Sequence, residues 1–573
     1  MTELSATIES LVTDVLVVGG GAAAAMAAYE AKKHNVGVMI VSKGIPQHSG
    51  STVMAPGAIA GVGSWAVPGD SQQVHFEDTI RGGYGLNDRS LVEILVRESP
   101  KLILELEKLG ALWQRDESGK NYALRIDGGH SFPRCPFIED RTGREMLRTL
   151  FGQVSKMGIP VYANIVVIKI LIFNGRATGA VGMDIRTGGL VVIRAKAVIL
   201  ATGGAGNVYS NTSNPTDITG DGFALALDAG AELMDMEFVQ FFPLGFVRPA
   251  SLRGTLGALL YYVHLRNNKG ERFMSKYDAE HLELSTRDRV ARAMVKEVAE
   301  GSGGPNGGVY ADMTYHPAGY LAKMQPALVK TYLKIGINPE KEWLEVAPTC
   351  HFIMGGLRVN SDWRTKIPGL YAIGECAAGV HGANRLSQNA LAEVLVSGSV
   401  AGRVAATSEA EQSLLPIDSD AVRNVETMIK SFFSTKKSDS PNQLRSKLQT
   451  VMWDNAGVVR SAKRLNKALN EIENIKLLLA QQKCTLASCK YNQELVQGIE
   501  NYFLATTAEA IIHSALHREE SRGGHFREDF PDRDDVNWIK HVIIKRPQGG
   551  AMEVSFTQGL NDQGECDDGT GKS

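Results

Sequence analysis

Cysteine is scarce and scattered in this 573-residue chain. Cys135, Cys350, Cys376, Cys484, Cys489 and Cys566 are widely spaced, and none forms a CxxC pair. That excludes an iron–sulfur cluster or zinc centre built on clustered thiolates, and it fits a reducing compartment. Net charge is also lacking: the formal balance is -2, which argues against nucleic acid as the main partner. No run of 18 apolar residues occurs, so no bilayer-spanning helix is expected. The first residues, MTELSATIESL, lack the basic patch and apolar core of an export signal. The expected location is therefore cytoplasmic, with attachment to the cytoplasmic face of a membrane only through partner subunits. What is present is globular: 43% hydrophobic and 22% charged residues, in a length that suits two or three domains.

The most informative stretch is TDVLVVGGGAAAAMAA near the N-terminus. Thr13 to Val18 reads as a buried parallel strand. Gly19, Gly21 and Ala24 make a GxGxxA turn, and an alanine-rich helix follows. Such a turn lets the backbone approach a pyrophosphate, a small third residue lets helix and strand pack closely, and the helix N-terminus supplies amides. The second apolar strand, Val36 to Val41, ends in Ser42 and Lys43. An NAD site usually places an acidic residue there for the ribose hydroxyls, so the pattern favours FAD.

Further along, residues 44–69 are rich in glycine, serine and proline, either as surface loop or as a loop closing over a flavin ring. Helices are expected near 71–82 and 88–109. Residues 124–145 place Arg134, Arg141 and Arg144 beside His130, as a binding segment or as a solvated polar loop. Residues 161–200 alternate as a β-meander and end at a second glycine turn containing Ala201 and Gly203. Asp221 opens an apolar helix as its cap or as a partner for a cofactor hydroxyl. Residues 236 to about 350 break the α/β rhythm and read as an inserted lid. The strand PGLYAIGE then resumes the nucleotide fold, and residues 420–520 are helical. The tail after Gln558 has little to bury.

Taken together, VVGGGAAAAMAA, SFPRCPFIEDRTG, MEFVQF, STRDRVARAM, HFIMGG, PGLYAIGE, HGANRLSQNALAE and ESRGGHFREDFPDRDD resemble the flavoprotein subunits of succinate dehydrogenase and fumarate reductase. That family also holds L-aspartate oxidase and, more distantly, adenylylsulfate reductase. The resemblance runs from about residue 13 to 542. It implies an α/β fold: a Rossmann-like FAD-binding domain in two parts (1–236 and 351–415), an inserted α+β capping domain (237–350) and a C-terminal helical domain (416–542). An extension with a disordered tail is expected at 543–573. By match, FAD is lined by Gly19, Gly21, Ala24, Ser42, Lys43, Ser49, Thr52, Gly57, Ala201, Gly203, Asp221, Glu375, Asn389 and Leu391. Respiratory members tether FAD covalently through a histidine. Ser51 stands at the matching position here, so non-covalent FAD is expected.

Redox chemistry at a carbon–carbon bond beside a carboxylate needs a proton donor or acceptor and a cationic clamp. By resemblance Arg385 and His351 bind substrate and Arg287 is the proton donor. An arginine fork suits a carboxylate, whereas an arginine acid needs neighbours that reprotonate it, because its pKa is so high. The family's HPTG reads FPLG here, from Phe242 through Leu244 to Gly245. The family's TEGxRGEGG reads TLGALLYYV, with Leu256 at its relay glutamate and Leu259 at its arginine. Half of the familiar dicarboxylate clamp is thus apolar, and an unpaired carboxylate there is costly to bury. The expected substrate is a small carboxylate-bearing acid or ester with an apolar end. Tyr261 and His264 are candidate polar replacements. The expected electron partner is a separate iron–sulfur or quinone-linked subunit. Competing readings are an adenylylsulfate-reductase-like enzyme, an amino-acid oxidase and a non-enzymatic electron-transfer component.

Overall fold

The computed structural model describes residues 8–126, 128–257, 260–409, 411–433, 439–547 and 550–558; the side chains of Tyr261 and Ala327 are also outside it. Leu259 and the tail after Gln558 therefore lie outside the described residues, as does the side-chain position expected of Tyr261.

Val15–Val18 is the centre of a five-stranded sheet. Its neighbours are Val38–Ser42 on one side and Ala197–Leu200 on the other, with Val161–Ala163 and Leu370–Ala372 outermost. Every pairing is parallel. The central strand is buried throughout, as expected when helices cover both faces. The chain leaves it in opposite directions, so a crevice opens at its C-terminal end.

The first helix, Ala22–Lys32, packs face to face with Asn389–Ser408. Small residues permit this: a Cβ on Gly402 would lie 2.3 Å from the Ala27 carbonyl oxygen. Ala24 is fully buried on the first helix, so its contribution is close packing. Among the described residues Asn389–Ser408 is the one helix long and apolar enough to cross a bilayer, but 67% of its apolar window is buried inside the protein.

The inserted domain is built on a four-stranded antiparallel sheet in the order Val239–Phe246, Leu344–Ile353, Val309–Asp312, His264–Arg266. The helix Arg287–Ala299 packs on its first two strands. Phe246, Leu265, Val290, Met294 and Tyr332 belong to a core of its own. Four helices, Ser419–Ser431, Pro441–Ala456, Ala462–Leu479 and Gln493–His517, follow the return to the nucleotide fold.

Two segments that the sequence leaves open take definite form. Lys540–Lys545 and Glu553–Gln558 pair with each other, and the first also pairs with Leu233–Met234, so these two segments of the extension belong to a sheet. The arginine-bearing segment 124–145, which reads either as a binding segment or as a solvated polar loop, has a buried anchor. Arg134 is fully buried and reaches Asp70 at 2.9 Å and Asp78 at 2.7 Å. Arg141 and Arg144 are exposed.

Candidate functional site

One cavity of about 1780 Å³ runs from the glycine turn of the first strand to the underside of the capping domain. That exceeds the roughly 300–1,000 Å³ of an ordinary small-ligand pocket, and leaves room for a dinucleotide and a second molecule.

The dinucleotide half is a backbone cradle. Gly19 has φ +139°, and a Cβ there would meet the Ala201 carbonyl oxygen at 2.2 Å. The first helix begins after Gly21 with no cap from its own N-terminal residue; the Ala22 amide reaches Thr52 Oγ1 at 3.4 Å, and the helix start faces the cavity as an anion site. Asn389–Ser408 also begins without a side-chain cap. Gly19, Gly21, Ser42, Lys43, Ser49, Thr52, Gly57, Ala201, Gly203, Asp221, Glu375 and Leu391 all line the space. These residues fit FAD: glycines where a side chain would fill the groove, and open helix ends where a pyrophosphate would sit.

Several of these residues act differently from the sequence expectation. Asp221 is not a helix cap; the capping position is Gly220. Its carboxylate binds Lys43 at 2.9 Å and accepts from Thr219 Oγ1. Lys43 also reaches Glu500 Oε1 at 2.7 Å and Thr219 Oγ1 at 2.7 Å. Burial alone would lower the Lys43 pKa, but Asp221 and Glu500 outweigh it and raise it. An ammonium has three donors, and these partners use them, so Lys43 pins the strand end to the helical domain. Asn389 lies behind the wall, held by His75 at 2.9 Å and Thr79 at 3.0 Å. Burial pushes the Glu375 carboxyl up to about 7, against the pull of the Ile353 amide at 3.0 Å and of Arg385.

The second half of the cavity gathers the predicted chemistry. Arg287 opens the helix Arg287–Ala299 at the inner edge of the cap. Arg385 follows a turn that Gly523 and Gly524 press from behind; a Cβ on Gly523 would meet the Ala383 oxygen at 2.3 Å. His351 lies on the strand Leu344–Ile353. Gln240, on the paired strand, joins the two arginines. Its Oε1 accepts from Arg385 Nη2 at 2.9 Å and from Arg287 Nη1 at 3.3 Å. Its Nε2 donates to Asn384 Oδ1 and to the Arg385 carbonyl, which fixes the amide orientation. Arg287 Nη2 also donates to Ser387 Oγ at 2.7 Å.

His351 Nδ1 lies 2.8 Å from Ser213 Oγ. Burial, then Arg385 and Arg287, hold its pKa well below the usual histidine range. The ring is therefore neutral near pH 7. In the tautomer in which Ser213 donates to Nδ1, Nε2 carries a proton for an anionic partner. Turnover should consequently show no limb near pH 6.5 that disappears in His351→Gln; a pH–rate profile from 6 to 8 checks this. For stability the sign is opposite to that of a paired histidine. The unfolded ring binds a proton that the folded ring refuses, so its contribution is complete above about pH 6.5 and is lost as pH falls.

Phe242 is on the cavity wall, its ring 5.6 Å from that of His351 and beneath the Arg287 guanidinium at 5.1 Å. Leu256 is there too. Leu244 is not: it is fully buried in the capping core, because the strand slips register between Phe242 and Gly245. His264 also turns away and stacks on Tyr315, ring centroids 4.0 Å apart. The expected polar replacement at His264 is thereby corrected. Sequence reasoning missed Gln240, Ser387 and Ser213. Gln240 left a trace, as the polar residue in the otherwise apolar FVQFF.

A dinucleotide-binding crevice facing two clustered arginines beneath an inserted cap defines an FAD-dependent oxidoreductase. Residues 14–391 match the FAD binding domain family and residues 445–561 the fumarate reductase flavoprotein C-terminal family. The chain belongs to the fumarate reductase/succinate dehydrogenase flavoprotein family. It is 40% identical to a subunit of the CoM/CoB fumarate reductase of Methanothermobacter marburgensis, over 95% of this chain and 98% of that one. It is 43% identical to an uncharacterized FAD-dependent oxidoreductase of Methanocaldococcus jannaschii, over 93% and 96%. A variant of Escherichia coli quinol fumarate reductase superposes with a TM-score of 0.91 at 32% identity, covering 97% of this chain and 98% of that one. Adenylylsulfate reductase of Archaeoglobus fulgidus shares the fold, with a TM-score of 0.80 at 21% identity.

Proposed function

We propose that the protein reduces or oxidises a carbon–carbon bond adjacent to a carboxylate, on an acid or ester whose other end is apolar. The observation that carries this reading is the convergence of Arg287 and Arg385 on the single oxygen Gln240 Oε1, inside the cavity that begins at the glycine turn. Two guanidiniums held this closely repel each other, and a substrate carboxylate relieves that repulsion.

Bound in the cradle, FAD supplies hydride transfer. The residues of the chain do the rest. Arg385 takes the carboxylate, and neutral His351 donates to the same anionic end. Arg287, steadied by Gln240 and Ser387, passes a proton to or from the carbon next to the hydride site. Phe242 and Leu256 keep water from the apolar side and offer no hydrogen bond to a second carboxylate. A panel of saturated and unsaturated acids, scored by bleaching or reoxidation of the flavin, tests the reading. A monoanionic acid should outperform succinate and fumarate; rapid turnover of either dicarboxylate would overturn it.

FAD is held without a covalent bond, because Ser51 lines the cradle where an imidazole would be needed. Denaturant or acid should therefore release all yellow colour from the precipitated chain, read by absorbance of the supernatant. Electrons pass to or from a second polypeptide carrying an iron–sulfur centre, consistent with the scattered cysteines here. The Methanothermobacter relative is itself named as one subunit of an enzyme, which supports the same arrangement. Such a partner would also set the location of the complex, in the cytoplasm or at the cytoplasmic membrane face.

A further inference from the structure

The cavity does not end at the clamp. Leu256, Leu260 and Leu328 of the capping domain extend its apolar wall, and Ile126, Leu284 and Met324 also line it. Those last three side chains are 54%, 62% and 45% exposed. They come from both sides of the cleft, Ile126 from the FAD-binding domain and the other two from the cap. Large apolar side chains that line one cavity from both of its sides suit an apolar occupant.

We propose that this arm holds a hydrocarbon chain. The substrate class is an amphiphilic monocarboxylic acid, with its carboxylate on Arg385 and His351 and its chain running past Leu256 and Leu328 toward the Ile126–Leu284–Met324 lip. This rests on the carboxylate-clamp reading above and adds chain length as the determinant of specificity. In the reductive direction the C2=C3 bond gains a hydride and a proton, and the two-electron-reduced flavin is oxidised, so atoms and electrons balance.

The experiment uses FAD-loaded protein, reduced with dithionite under anaerobic conditions and mixed with straight-chain trans-2-enoic acids from crotonate to dodecenoate. Reoxidation is followed in the visible flavin band. The second-order rate constant should rise about threefold to fourfold per added methylene until the arm is filled, the ratio that corresponds to about 0.8 kcal/mol per buried methylene. Calorimetry with saturated decanoate, which needs no turnover, should show binding with a negative heat-capacity change. Leu328→Trp should weaken decanoate binding at least tenfold and move the rate optimum to shorter acids. A rate that is flat or falls with length while short acids react overturns the chain-binding arm and leaves the clamp reading standing. Reaction with none of the acids, and no calorimetric binding, overturns both. An optimum that stays in place in Leu328→Trp overturns the assignment of the arm.

Discussion

Replacing Arg287 by glutamine should abolish turnover while FAD stays bound. Its guanidinium is the cation at the junction of cap and cleft, fixed by Gln240 Oε1 at 3.3 Å and Ser387 Oγ at 2.7 Å. Glutamine can fill part of that space but offers neither the charge nor an exchangeable proton on a cation. Loss of a positioned proton donor costs about 10²–10⁴-fold in rate, and the upper end is expected here because the charge is lost too. Lysine should rescue little, because a point charge on a flexible stem cannot hold both partners in the geometry of a planar fork. The glycine turns and open helix ends that hold FAD lie elsewhere in the cavity, so flavin content should match that of the unmodified protein. Steady-state rate and flavin-to-protein ratio, measured on one preparation, check both halves. A variant that loses its flavin would show Arg287 to be structural.

Arg385→Met should lose about 2–5 kcal/mol of substrate stabilisation, the usual cost of leaving a buried charge without its partner. That is a fall of roughly 30-fold to several thousandfold in kcat/KM. Arg385 is 7% exposed, and its guanidinium packs over the Phe352 ring at 4.6 Å, so little water is available to replace it. Methionine preserves the packing volume and isolates the electrostatic loss. Arg385 also draws the Glu375 pKa down from what burial alone would give. In Arg385→Met the Glu375 carboxyl should therefore titrate higher than in the unmodified protein, a shift readable in the pH dependence of FAD affinity. The two variants should differ in kind: Arg385→Met should act chiefly on substrate capture, and Arg287→Gln on the chemical step.

The dinucleotide fold is legible in the chain alone, because it is built from local signals. A buried apolar strand, glycines where the backbone must turn, small residues on the next helix and a second glycine turn all sit within short windows. The strand Val15–Val18 and the helices Gln72–Gly82 and Arg89–Lys108 lie where periodicity and turn residues place them. What those windows do not contain depends on long-range packing. Leu244 belongs to the capping core because a register slip follows Phe242. Asp221 turns to Lys43 because Glu500, far along the chain, completes a buried charge group. Gln240 joins the two arginines only once the strands Val239–Phe246 and Leu344–Ile353 pair and the cap helix folds over them. Turn chemistry and burial pattern act over a few residues and can be read in order. The convergence of separated charges depends on strand register and domain packing, which fix distances between residues far apart in the chain.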